Sequence, residues 1–163
     1  MSIDPKLRSG SAPDGSFPFV KEIGELQREV ARCRRLAQQS DERLRLAMDV
    51  GRLGTWIWSI PDGQITREGY HEELFGLAPG SFSGTYDGFL ACLYPEDREP
   101  VQSEITRCLA LRQDYRQQYR VLWPNGSVHW VEGRARILCD DQNEPVRMIG
   151  VVQDITEQKL VEQ

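Results

Sequence analysis

Residues Tyr115–Thr156 read YRQQYRVLWPNGSVHWVEGRARILCDDQNEPVRMIGVVQDIT, and they decide the fold. In the first segment Tyr115, Tyr119, Val121 and Trp123 share one face, while Arg116, Gln118 and Arg120 share the other. This period of two marks a strand with one side buried. Pro124-Asn125-Gly126 then supplies a tight turn, since Asn and Gly tolerate positive φ. The next segment, Ser127 to Cys139, sets Val131, Ala135, Ile137 and Cys139 against Glu132, Arg134 and Arg136. A polar connection over 140–145 leads to Val146–Gln153, which is apolar on both faces: Val146, Met148 and Val152 on one, Ile149 and Val151 on the other. A strand of that kind belongs in the middle of a sheet, with something covering each side.

Working outward, the 163 residues suit one domain with appendages. A net charge of −5 argues against nucleic acid as a partner, because such binding needs a basic face. The one dense run of arginines, Arg32, Arg34, Arg35, Arg43 and Arg45, is interleaved with Glu29, Asp41 and Glu42 and reads as a solvated helix face. Four scattered cysteines without a CxxC spacing, and two histidines, argue against a metal site and for free thiols in a reducing compartment. No apolar run reaches the roughly 20 residues of a membrane span, and no signal-peptide pattern opens the chain. The expected location is cytoplasmic.

Residues 1–18 read as a flexible tail. Over 19–40, Ile23, Leu26, Val30, Cys33 and Ala37 recur at steps of three and four, the seam of a helix that packs on another helix. The seam weakens at Ser40, and a second row, Leu46, Val50 and Leu53, follows. A register shift or a short break capped by Ser40 or Asp41 accounts for both. The seam either forms a homodimer or folds back on its own sheet; the reading favours the dimer. Gly51–Gly54 ends the helix. Thr55–Ile60 is a strand with Trp56 and Trp58 on one face, Asp62-Gly63 a hairpin turn, and Gln64–Arg67 a short edge strand. Tyr70–Phe75 and Tyr86–Tyr94 are short helices around a Pro-, Gly- and Ser-rich loop. Pro95–Arg112 is a longer helix with Asp97 as N-cap, Pro100 in its first turn, and a stripe of Val101, Ile105, Cys108 and Leu109. Asp154 and Glu157 fit a capping box for a helix over 157–163. The expected architecture is α+β, with a five-stranded antiparallel sheet, short helices on one face and an N-terminal amphipathic helix.

In this order the motifs resemble the PAS sensor family, in the variant with a PAC segment, over residues 41–159. The resemblance rests on Gly54-Thr55-Trp56-Ile57-Trp58, on Tyr94-Pro95-Glu96-Asp97-Arg98 (Tyr94 standing where the family often has His), and on Tyr119-Arg120-Val121. Pro124-Asn125-Gly126, His129-Trp130-Val131 and Ile149 through Asp154-Ile155-Thr156 complete it. It implies a sheet whose inner face can hold a small ligand and an Asp-Ile-Thr end that passes a signal to an output domain such as a histidine kinase or diguanylate cyclase. Asp154, Ile155 and Thr156 are then the relay residues. The alternative is a ligand-free protein-interaction module. Only seven residues follow Thr156, so an output domain is expected outside this chain or in a partner protein.

The candidate pocket residues are Trp56, Trp58, Phe75, Phe89, Leu93, Ile105, Tyr119 and Trp130. Their aromatics could stack on a non-covalent flavin, although strand aromatics commonly serve only as core. Family members with covalent flavin photochemistry carry Asn-Cys-Arg-Phe-Leu-Gln. The corresponding Ala91-Cys92-Leu93-Tyr94 lacks it, which argues against that chemistry. The absence of His from Pro95–Arg112 argues against haem. His71 reads as a surface or core-satisfied histidine. His71-Glu72 begins HExxH, but Phe75 occupies the second His position, and no nucleophile–base pair or phosphate loop is legible. The chain is expected not to be an enzyme.

Overall fold

The computed structural model describes residues 18–163. The tail expected over 1–18 lies outside them, except that Pro18 opens the first helix. The chain divides into two units after Glu42. Helix α1 runs from Pro18 to Gly51. Of the two readings at Ser40, a register shift or a short break, the break is absent, and the boundary at 40/41 falls inside one continuous helix. Between Arg32 and Arg45 the chain has no Gly or Pro, and mostly good helix formers, so nothing interrupts the hydrogen-bond ladder. Ile23, Leu26, Val30, Cys33 and Ala37 are all exposed in the single chain. Met48, in the last turns, is the one fully buried residue of α1.

In the second unit the strands are β1 (Gly54–Ser59), β2 (Ile65–Gly69), β3 (Tyr115–Leu122), β4 (Val128–Cys139) and β5 (Pro145–Asp154). They form one antiparallel sheet in the order β2-β1-β5-β4-β3. The doubly apolar β5 therefore takes the centre, and the polar β2 takes an edge. Register sets the faces. Tyr115 pairs with Ala135, Tyr119 with Val131, and Trp58 with Met148, all on the inner face. Thr55 pairs with Val151 and Ile57 with Ile149, on the outer face. Trp56 lies flat over β5 because its partner is Gly150, where a Cβ would collide with the indole and with the Arg134 carbonyl.

Three helices cover the inner face: α2 (His71–Leu74), α3 (Tyr86–Cys92) and α4 (Arg98–Leu111). Gly76, at φ +70°, ends α2 and leaves room for Trp123, whose indole N–H donates to the Leu74 carbonyl at 3.1 Å. Val101, Ile105 and Cys108 of α4 are buried against Val121, Val131 and Met148 of the sheet. The residues Pro95–Asp97, expected inside this helix, form a 3-10 turn before it. Asp97 stands at the N-cap position but caps nothing. Its carboxylate accepts from the Arg120 backbone N–H at 2.8 Å and from Arg120 Nε at 3.0 Å. A charge-assisted pair with β3 is stronger than a neutral cap, and it wins the carboxylate.

The exit helix α5 (Thr156–Val161) leaves the end of central β5. The expected capping box does not form. Asp154 remains in the strand and accepts from the Thr156 N–H at 2.8 Å, and the Glu157 carboxylate makes none of the side-chain hydrogen bonds found among the described residues. The Thr156 hydroxyl instead accepts from the Trp130 N–H at 3.0 Å and donates to the Trp130 carbonyl at 3.3 Å.

Candidate functional site

Between the inner face and α2–α4 lies a cavity of about 30 Å³, on the order of a single water molecule. Trp56, Trp58, Phe75, Phe89, Ile105 and Tyr119 line it, joined by Ile65, His71, Phe82, Tyr86, Tyr115 and Met148. Two expected residues do not. Leu93 is fully buried in the core beside it. Trp130 lies on the outer face, since its neighbour Val131 points inward. There Arg120 lies 5.7 Å and Lys159 5.0 Å from the ring centroid of Trp130. The alternation of β4 already carried that signal.

The wall is aromatic. Trp58 and Tyr86 stack at 4.7 Å, His71 stacks on Phe75 at 4.8 Å, and Phe89 meets Tyr119 edge-on. It is also uncharged at neutral pH. Burial, helped by the nearby Arg67 cation, pulls the His71 pKa down to about 4. Burial raises the phenols of Tyr86, Tyr115 and Tyr119 above their ordinary range.

Two of the lining residues carry a buried polar atom without a protein partner. Trp58 Nε1 and His71 Nδ1 are buried without a hydrogen bond, and Arg67 Nε nearby is a third such atom. Each buried group left unpaired costs about 1–3 kcal/mol, and such groups are few in folded proteins. His71, 3% exposed, is thus neither a surface nor a core-satisfied histidine. The sequence reading set it aside because a lone histidine is far more often at the surface or satisfied in the core.

Phe82, Tyr86 and Phe89 come from the loop and helix over 78–92. Glu72 holds this segment, accepting from the N–H groups of Gly80 and Phe82 at 3.1 Å each and pairing with Arg67 at 3.3 Å. Burial works to raise the Glu72 pKa, but those donors outweigh it and lower the pKa.

The outer face carries an open groove of about 600 Å³. Ile57, Ile149 and Val151 line its floor, with Arg116, Arg134 and Arg136 to one side. Beside it Glu132 is buried, 6% exposed, and accepts from Arg134 Nε at 2.6 Å and Gln118 Nε2 at 3.1 Å. Burial favours its neutral form, yet these partners keep its pKa lowered.

A sheet ordered 2-1-5-4-3, helices over one face and an exit from the central strand are an arrangement with known counterparts. Residues 64–152 match the profile of the PAS fold family. The chain belongs to that family. A blue-light-activated histidine kinase of Brucella anthropi is 28% identical over 138 residues, 85% of this chain and 27% of that protein. A probable diguanylate cyclase of Escherichia coli is 26% identical over 141 residues, 86% of this chain and 12% of that protein. The chain thus spans about a quarter of the first relative's length and an eighth of the second's. Among solved structures, a sensory box histidine kinase/response regulator from Burkholderia thailandensis superposes with a TM-score of 0.64 at 26% identity, over 74% of this chain and 89% of that one. The PAS domain here is a sensory module of the kind found in signalling proteins. None of the described helices is long and apolar enough to cross a membrane.

Proposed function

We propose that this PAS domain senses a signal at its inner cavity and relays it through Asp154-Ile155-Thr156 to an output domain, itself doing no catalysis. A histidine kinase or a diguanylate cyclase fits as the output, and the cytoplasm as the location. The observation that carries the reading is the attachment of α5. Thr156 is bound through its hydroxyl to both backbone groups of Trp130 on β4, while Asp154 holds it to β5. Ile155 is buried beside them, and its N–H donates to the same Trp130 carbonyl at 2.9 Å. A shift between the two strands would therefore reorient the helix that leaves them. The homodimer is proposed to form through the α1 seam.

Joining the chain to a histidine kinase catalytic region tests the relay. Thr156→Val removes both hydroxyl bonds and leaves the cavity intact. Altered autophosphorylation with unchanged sheet stability supports the reading; wild-type kinase output in that variant overturns it. The second reading, a ligand-free interaction module, draws on the small volume of the inner cavity and the larger outer groove. It predicts that inner-face substitutions which preserve folding leave output unchanged.

A further inference from the structure

The orphaned atoms describe the ligand. We infer that the cavity takes a small neutral molecule carrying one acceptor oxygen on an apolar body, with Trp58 Nε1 and His71 Nδ1 as its polar contacts. The inference rests on the sensing reading above and deepens it. An indole N–H only donates, so the ligand must accept there. A neutral imidazole offers Nδ1 as donor or acceptor according to tautomer, so it serves either a carbonyl or a hydroxyl oxygen. Both atoms are buried, both residues line the same cavity, and neither atom has a protein partner. Hydrocarbon would leave both unpaired. An anion would meet no lining cation, because Arg67 is held by Glu72 and stacked 4.8 Å from the Phe82 ring centroid. A cation would meet no lining carboxylate.

At about 30 Å³ the cavity is smaller than such a molecule, so entry must displace part of the wall. Helix α3, which carries Tyr86 and Phe89, is the movable part, since none of its residues is fully buried. The Trp58–Tyr86 stack is then the contact that opens, which widens the cavity beside the indole.

Titration of the full chain with benzyl alcohol, toluene and benzoate, followed by the Trp58 indole N–H and His71 ring resonances, tests this. Benzyl alcohol is expected to shift both resonances saturably and to bind about fivefold tighter than toluene for each hydrogen bond it makes. Trp58→Phe and His71→Phe should each remove one such factor while toluene binding persists. Equal affinity for toluene, tighter binding of benzoate, or no shift with any probe overturns the inference. The wild-type series decides it even if a variant fails to fold. Signals from α5 separate the two readings. Benzyl alcohol that moves Trp58 and His71 but not α5 leaves the ligand assignment standing and removes the relay. A response in α5 to toluene and benzyl alcohol alike does the reverse.

Discussion

At the scale of the residue, His71 shows how environment overrides composition. It is held neutral among Phe75 and Phe82, with its pKa pulled down to about 4. Unfolded, it titrates near 6.5. As pH falls through this window the unfolded chain takes up a proton that the folded chain refuses. The stability present above 6.5 is therefore lost on the way down to 4. Denaturant unfolding should show about 2 kcal/mol lost between pH 7 and pH 5, and His71→Phe should flatten that slope. An unchanged slope in the variant would place the titration elsewhere. Gly150 makes a second case. Gly150→Ala drives a Cβ into the Trp56 indole and the Arg134 carbonyl, and should cost about 2 kcal/mol or more, read as a lower denaturation midpoint. Alternation along the strands made most inner-face residues legible, and the same alternation sets Trp130 on the outer face, apart from the aromatics of the cavity. The condition of His71 was not legible, because burial without a partner depends on what α2, the loop and the sheet bring together.

At the scale of the element, strand identities and order of use were readable, because period, turn residues and the doubly apolar β5 agree. Helix starts were not. Neither acidic candidate caps its helix as expected: Asp97 is taken by Arg120, 23 residues away, and Asp154, at the end of β5, accepts from the Thr156 N–H without the reciprocal bond of a capping box. A local rule cannot anticipate a distant guanidinium. The Asp97–Arg120 pair locks the 3-10 turn and α4 to β3, and Arg120 also covers the Tyr94 ring at 4.2 Å from its centroid. Hydrogen bonding from the Arg120 side chain, against a smaller burial penalty, lowers the Asp97 pKa. Asp97→Asn should lower stability by about 1–2 kcal/mol, and hydrogen exchange should rise first at the start of α4. Loss spread evenly over the domain would argue that the pair does not position this element.

At the scale of the whole molecule, the unanswered question is what covers the apolar surface of α1. Ile23, Leu26 and Val30 are 39%, 60% and 48% exposed, and Phe19, Val20 and Leu36 add to them. No membrane-spanning pattern accounts for these residues, and an exposed seam at steps of three and four is the geometry of helix pairing. A second copy supplies an identical seam. Because the seam runs only a few turns, association should be weak and governed by mass action. Light scattering on the full chain should therefore give a mass that climbs from monomer toward dimer as concentration rises. A chain beginning at Asp41 keeps the second unit and loses the seam, and it should stay monomeric throughout. Leu26→Glu with Val30→Glu should do the same in the full chain without moving the unfolding midpoint of the dilute monomer, because neither residue is buried in the single chain. If the shortened chain dimerises as well as the full one, the pairing surface belongs to the second unit, and the groove over Ile57, Ile149 and Val151 becomes the surface to substitute next.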